Sequence, residues 1–358
     1  MKYEYWYANI NAISNREKIE LRTSIKSAEE LYYIEETELE KRGITKKICD
    51  AVCKSRVQWD LEHAYEVLVK SNCKMVTYFE KEYPLRLKTI AAPPYAIYVK
   101  GKLPPEQRLT IAIVGARECS CYGQEMANVF AKELAQCGIP IISGMARGID
   151  GISQKAALEA GGSSYAVLGC GVDVCYPKEC WNLYNQLQLK GGLLSEQPPG
   201  TQPLARFFPA RNRIISGLAD VVIVIEAKEK SGSLITADMA LEQGKDVYAL
   251  PGPINSLLSK GCHNLIRQGA GILVSPEDLL EELSVMRKSS CKKNEDLKIS
   301  LESTENMVYS CLDFLPKNPG TIHSQTGMPI PTILDHLVSL VLKGYVKEVS
   351  KNYYVKIK

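Results

Sequence analysis

From Leu109 onward, short unbroken apolar runs alternate with longer amphipathic stretches. The runs TIAIVG, IPIISG, SSYAVLG, GGLLSE, DVVIVIEA, DVYALPG and AGILVS lack the polar alternation of a half-exposed strand. They predict seven strands buried on both faces. Stretches with helical spacing predict helices at roughly 121–137, 149–160, 178–190, 210–218, 233–243, 261–268 and 276–284. Strand and helix in alternation predict an α/β fold built on a parallel sheet covered on both sides. In such sheets ligands bind outside the carboxyl ends of the strands.

The flanks read differently. Residues 1–82 carry helical spacing in SAEELYYIEETELEKRG and KKICDAVCKSRVQWDLEHAYEVLVKSN, which predicts a small helical domain. Residues 83–108 are proline-punctuated and read as a connector to a central domain over 109–285. Residues 286–304 are charged and lack apolar periodicity, the mark of a linker. Residues 305–358 predict three helices and a two-stranded hairpin, a winged helix-turn-helix pattern whose third helix and wing would touch a nucleic-acid backbone. A protein-interaction module fits the same pattern, because IPTILDHLVSLVLKG is mostly apolar and lacks a base-reading Arg or Asn.

Composition narrows the class. At 358 residues the chain is long enough for two or three domains. No apolar run approaches the roughly 20 residues of a membrane span, so no membrane partner is expected. The start, MKYEYWYANINAISNREK, has no apolar signal core, and a cytoplasmic protein is expected. The twelve cysteines are scattered without CxxC pairs and read as reduced thiols. Net charge is +3, yet residues 105–285 hold 15 basic and 19 acidic side chains. Any anion site in that middle must be a local cluster of cations in an acidic body.

Such a cluster is present in the loops after the strands. Gly115 and Arg117 follow the first strand, and Ser143, Gly144, Arg147 and Gly148 the second. Phe207, Phe208, Arg211, Asn212 and Arg213 lie in FFPARNRIIS. Ser231, Gly232 and Ser233 precede a helix, with Ser233 read as its N-cap. Glycines let backbone approach a ligand, and amides at a helix start favour an anion. With several arginines and hydroxyls, the set suits the phosphates of a nucleotide or a nucleic-acid strand, and an exposed phenylalanine can stack a base. GCG at 169–171 is no dinucleotide fingerprint, since Val174 replaces the third glycine, and no P-loop occurs. The four histidines, at 63, 263, 323 and 336, are dispersed. No catalytic triad or metal-ligand spacing accompanies them, so no metal, cofactor or enzymatic activity is expected.

Five long motifs in order carry a resemblance: SGMARGIDG, AVLGCGVDVCYP, GLLSEQPPGTQP, FFPARNRIISGLAD and EAKEKSGSLITADMALEQGKDVYALPG. Together they resemble the DNA-processing protein DprA (Smf) family over roughly residues 80–285. The resemblance implies a Rossmann-like, doubly wound, mostly parallel sheet with an N-terminal SAM-like helical domain and a C-terminal winged-helix domain. It implies a protein of natural transformation that binds single-stranded DNA, protects it, loads RecA onto it and acts as a homodimer. Arg211 and Arg213 would then hold phosphates. Gln154 departs from the pattern, standing where the family usually carries histidine.

One enzyme class competes. Nucleotide phosphoribohydrolases of the lysine-decarboxylase-like group share this kind of sheet but carry a PGGxGTxxE loop. Here the loop reads EKSGSLITADMA, with Asp238 as its nearest acid. In SLLSKGCHNLIRQGAGILV, Leu257, Leu258, Leu265, Ile266 and Ile272 either cover the last strand or, as the resemblance implies, bury in part against a second copy.

Overall fold

The computed structural model describes residues 1–285 and 303–357. Nine strands form one sheet: β1 (Lys74–Thr77), β2 (Ala96–Gly101), β3 (Ile111–Val114), β4 (Ile141–Ser143), β5 (Ser164–Val167), β6 (Gly192–Ser195), β7 (Val221–Val224), β8 (Asp246–Ala249) and β9 (Gly271–Ile272). Their order across the sheet is β1-β2-β6-β5-β4-β3-β7-β8-β9. From β6 to β9 every pairing is parallel, with Ile111 opposite Ile141 on one side and Val221 on the other. The chain is therefore mixed α/β with a mostly parallel central sheet. It winds outward from β3 in one direction through β4, β5 and β6, then resumes at β7 in the other. The point of reversal lies between β3 and β7, where the loops leaving the strands diverge and open a crevice.

Alternation within the buried strands feeds two cores. Ala112 and Val114 join Val222 and Val224 on one face, while Ile111 and Ile113 join Val221 and Ile223 on the other. Successive side chains of a strand point to opposite faces, which is why the runs have no polar member. Six helices relevant below are α1 (Asn15–Ser24), α2 (Cys121–Gln136), α3 (Ile149–Glu159), α4 (Trp181–Lys190), α5 (Phe207–Leu218) and α6 (Gly232–Glu242).

The sheet extends two strands beyond the seven read from the sequence. β1 and β2 are antiparallel to each other, and β2 is antiparallel to β6. Prolines 84, 93, 94, 104 and 105 flank β2 and mask its AIYVKG run as connector. The N-terminal helices pack here: Tyr5, Trp6 and Tyr7 share a core with Met75 of β1 and Tyr98 of β2. Helix α5 also starts earlier than the spacing predicts. It opens at Phe207, because Pro209 falls in the first turn, where the missing N–H has no intrahelical partner to lose.

Beyond the sheet, helices Ser303–Ser310, Pro319–Thr326 and Ile330–Leu342 precede β10 (Val346–Ser350) and its antiparallel partner β11 (Tyr353–Lys356). They enclose their own apolar cluster of Val308, Ile322, Ile333, Leu337, Val346 and Tyr354. Buried Glu305 ties the first and third helices through Lys343 at 2.7 Å and Ser339 at 2.6 Å. The predicted linker, 286–304, lies outside the described residues up to Glu302, as does Lys358 at the end of the predicted wing. Among the described residues, no helix is long and apolar enough to cross a membrane.

Candidate functional site

The crevice at the carboxyl ends of β3 and β7 is a cleft of about 640 Å³. The β3 loop supplies Gly115 and Arg117, helix α5 supplies Phe208, Arg211 and Asn212, and the β7 loop supplies Lys228, Lys230, Ser231, Gly232 and Ser233. Eight of the fourteen residues singled out from sequence line this one cleft.

The walls are held by buried polar contacts. Arg211 lies under the cleft floor, 8% exposed. Its Nη1 donates to the carbonyl of Gly144 at 3.0 Å and to that of Val167, and its Nε donates to Asn212 Oδ1 at 3.2 Å. Arg211 thus ties α5 to the ends of β4 and β5. Burial pushes its guanidinium down to about 10, opposed by the nearby Asp150 carboxylate. Asp150 is in turn pushed upward by burial, against the pull of Arg211 and of the Gly144 amide at 3.1 Å. Gly144 is wedged between the two: a Cβ there would stand 2.5 Å from Arg211 Nη1 and 2.7 Å from Asp150 Oδ2.

Gly148 has a different requirement. It takes φ +74° at the start of α3, and a Cβ would lie 2.2 Å from the Ala116 carbonyl oxygen. Any side chain would separate the β3 and β4 loops. Ser143 is buried and donates to the Ile113 carbonyl at 2.7 Å, so its hydroxyl braces β3 against β4 and does not face the cleft. Asn212 donates to the Gly232 carbonyl at 3.2 Å, fastening α5 to the start of α6.

The cap of α6 is Ser231, not Ser233. Ser231 is extended at φ −96° and ψ 143°, and its Oγ accepts from the Ser233 N–H. Gly232 occupies the first helical position, so the cap falls two residues earlier than predicted. The amino end of α6, the positive end of its dipole, therefore lies on the cleft.

The exposed face of the cleft is cationic and aromatic. Arg117, Lys228 and Lys230 are exposed and make no ion pair among the described residues. Arg117 lies over the Phe208 ring at 6.0 Å from its centroid, and Phe208 contacts Tyr176 at 5.5 Å. Lys228, Lys230 and Tyr176 were not among the residues singled out from sequence. Their signal was present, since KEK precedes SGS directly and Tyr176 is the aromatic of GVDVCYP.

Three singled-out residues point elsewhere. Each nitrogen of the Arg213 guanidinium is engaged outside the cleft: Nη2 pairs with Glu196 at 2.6 Å, Nε donates to the Ala92 carbonyl at 2.9 Å and Nη1 to that of Ala210 at 3.0 Å. Two helical steps separate it from Arg211 by about 200°, so these two arginines of one helix cannot face the same cleft. Phe207 lines a second, smaller pocket under Arg206. Arg147 is exposed and paired with Glu179 at 2.6 Å.

Gln154 is wholly buried. Its Oε1 accepts from the Met145 N–H at 3.0 Å, and its Nε2 donates to the Tyr165 carbonyl at 3.1 Å and to Ser164 Oγ at 3.3 Å. No disulfide joins any of the eleven described cysteines, and burial pushes Cys119 up to about 11 and Cys170 and Cys262 up to about 12. Among the described residues no three His, Cys, Asp or Glu side chains gather as metal ligands.

Residues 74–284 match the family model of the DNA recombination-mediator protein A. The chain is 39% identical to protein Smf of Escherichia coli over 279 residues, spanning 76% of this chain and 74% of that protein. It is 45% identical to the DNA processing protein DprA of Bacillus subtilis over 204 residues, spanning 57% and 69%. The crystal structure of DNA processing protein A from Streptococcus pneumoniae superposes with a TM-score of 0.70 at 33% identity, covering 79% of this chain and 98% of that one. That of the Helicobacter pylori protein, which addresses its single-stranded DNA binding mode, superposes at 0.55 with 30% identity over 60% of this chain and 97% of that one.

Proposed function

The chain belongs to the DNA recombination-mediator protein A family, and from that premise we propose that its cleft binds the backbone of single-stranded DNA. The observation that carries this reading is the unpaired trio Arg117, Lys228 and Lys230, set around the amino end of α6. Three cations and a helix start in an otherwise acidic segment supply phosphate contacts. Phe208 and Tyr176 add ring faces on which bases of any identity stack. Phosphate contacts position a strand without reading it, so binding in the cleft is sequence-tolerant.

In this reading the protein acts in natural transformation within the cytoplasm, covering incoming single strands and passing them to RecA. It works by binding rather than by turnover. The phosphoribohydrolase alternative gains nothing, because Asp238 is exposed on α6 and does not line the cleft. We further propose a helical SAM-like domain ahead of Lys74, a Rossmann-like domain reaching to 285, a linker over 286–304 and a winged-helix domain over 305–358; the boundaries predicted at 82 and 108 and the connector 83–108 give way because β1 and β2 join the central sheet. A homodimer through the β9 edge completes the proposal. Exposed Ile272 and Val274 lie at that edge and exposed Ile254 and Leu257 in the loop after β8, while Leu265 is buried within the fold. Light scattering should then give about twice the 39.8 kDa chain mass.

The test of the central claim is an electrophoretic shift of single- and double-stranded oligonucleotides at two salt concentrations. Tighter binding to single strands, weakening steeply with salt, is expected. Equal affinity for duplex, or indifference to salt, would overturn the assignment.

A further inference from the structure

Phe207 and Phe208 are neighbours on α5 that serve different cavities. Phe208 faces the cleft, and Phe207 lines a polar pocket of about 240 Å³ where the N-terminal helices meet the sheet. Adjacent Cα atoms are about 3.8 Å apart, so cleft and pocket share one aromatic wall.

The pocket holds two charged groups with unused hydrogen-bonding capacity. Lys18 of α1 is 4% exposed. Its ammonium has three donors, of which one reaches a protein acceptor, the Ala8 carbonyl. Lys18 makes no ion pair among the described residues, although the Glu196 carboxylate is close enough to favour its charge. Burial works against that charge and lowers the amino group to about 8. On the other side, Glu196 Oε1 accepts from Arg213 at 2.6 Å and from Asn15 at 2.5 Å, and Oε2 takes no hydrogen bond among the described residues. A buried ammonium and a half-used carboxylate thus bracket a cavity, near enough to sense each other and too far apart to pair. The buried ammonium keeps donors to spare, and with the part-exposed Glu196 carboxylate across the cavity it points to an occupant with acceptors at one end and donors at the other.

The shape and surroundings narrow the occupant. Phe207, Pro198 and Ile13 are flat or apolar walls, and Gln197 adds a further amide. A strand lying in the cleft has its bases unpaired, and turning one out costs least in single-stranded DNA. Guanine presents a carbonyl and a ring-nitrogen acceptor on one edge, the pair that a lysine reads, and adjacent N1–H and N2–H donors suited to a carboxylate.

Resting on the reading of the cleft as a single-strand site, we propose that the pocket between Lys18, Glu196 and Phe207 takes one guanine base of the bound strand. The cleft then holds the backbone while the N-terminal helices supply a base preference.

The test uses the full chain and strands of about 20 nucleotides, a length that covers one or more sites of this kind. Four are compared by fluorescence anisotropy: all-thymidine, and thymidine with interspersed guanine, inosine or adenine. The guanine strand should bind about tenfold more tightly than thymidine, the scale of one good base contact. Inosine, which lacks the 2-amino group, should lose most of that advantage. Lys18→Met and Glu196→Gln should each abolish the guanine preference and leave thymidine affinity unchanged, with circular dichroism confirming their fold. The inosine comparison needs no variant and decides the matter if either fails to fold. Equal affinity for all four strands, an adenine preference, or a guanine preference surviving both substitutions overturns the pocket while leaving the cleft intact. Failure to bind any strand overturns both.

Discussion

The side-chain oxygen of Gln154 accepts the backbone N–H of Met145 at 3.0 Å and so holds a non-glycine residue at φ +52°. Left-handed backbone is uncommon outside glycine and is kept where its surroundings over-determine it. Gln154 meets that condition from within α3, with its amide nitrogen anchored to Ser164 and Tyr165 of β5. Gln154→Ala would leave the Met145 N–H buried without a partner. A loss of about 2–3 kcal/mol in urea unfolding is expected, since unsatisfied buried groups cost about 1–3 kcal/mol each. Gln154→His should cost less, because its two ring nitrogens replace part of the three-bond set.

The cleft cations and Arg213 should separate cleanly. Arg117→Ala, Lys228→Ala and Lys230→Ala should each weaken single-strand binding and reduce the log–log salt slope by about 0.7, the share of one phosphate. Arg213→Ala should leave that slope unchanged and instead lower stability, since its guanidinium joins Glu196 to two backbone carbonyls. A slope change in Arg213→Ala equal to that of Arg117→Ala would contradict its placement away from the cleft.

Arg211 should act through structure. It is buried and bound to the Gly144 and Val167 carbonyls, so Arg211→Ala leaves Asp150 without its nearby cation and is expected to cost about 3 kcal/mol or more. Arg211→Lys keeps the charge but has no planar fork to reach two strand ends. It should be destabilised as well, which chemical denaturation would show. Retained stability in both variants would mean that the guanidinium does not brace the floor.

Lys18 predicts a pH dependence of definite sign. Its amino group falls from 10.5 to about 8 in the folded chain, so between those values the unfolded chain binds more protons. Stability should therefore rise with pH across this window, by up to about 1.4 kcal/mol per pH unit from this group. The gain is complete above the unfolded value and lost as pH falls through about 8. Lys18→Met should remove that contribution, seen by comparing denaturation midpoints of both proteins at pH 7.5 and 9.5. Parallel pH profiles would refute it.

The C-terminal block should be auxiliary. Truncation after residue 286 removes a separate apolar cluster and should keep the sheet folded with most single-strand affinity. A modest, salt-sensitive loss is expected from the exposed lysines Lys347 and Lys351. Collapse of binding in a protein that circular dichroism shows to be folded would make that block a primary site.

Residues alone determined the alternation of strand and helix, because strands buried on both faces must be apolar throughout and α3, α5 and α6 are punctuated by glycine and proline. They also brought Arg117, Phe208 and Ser231 to one sheet edge, since every parallel strand delivers its following loop to the same side. What they left open was direction. Arg211 and Arg213 are two letters apart and read alike, yet helical rotation sends one under the cleft and the other to Glu196. β2 stayed hidden among prolines because pairing with β6, nearly a hundred residues later in the chain, is what makes its run a strand. The pocket around Lys18 has no sequence signal either. Its two charged groups are 178 positions apart, and only tertiary packing of the N-terminal helices on the sheet brings them to face one another.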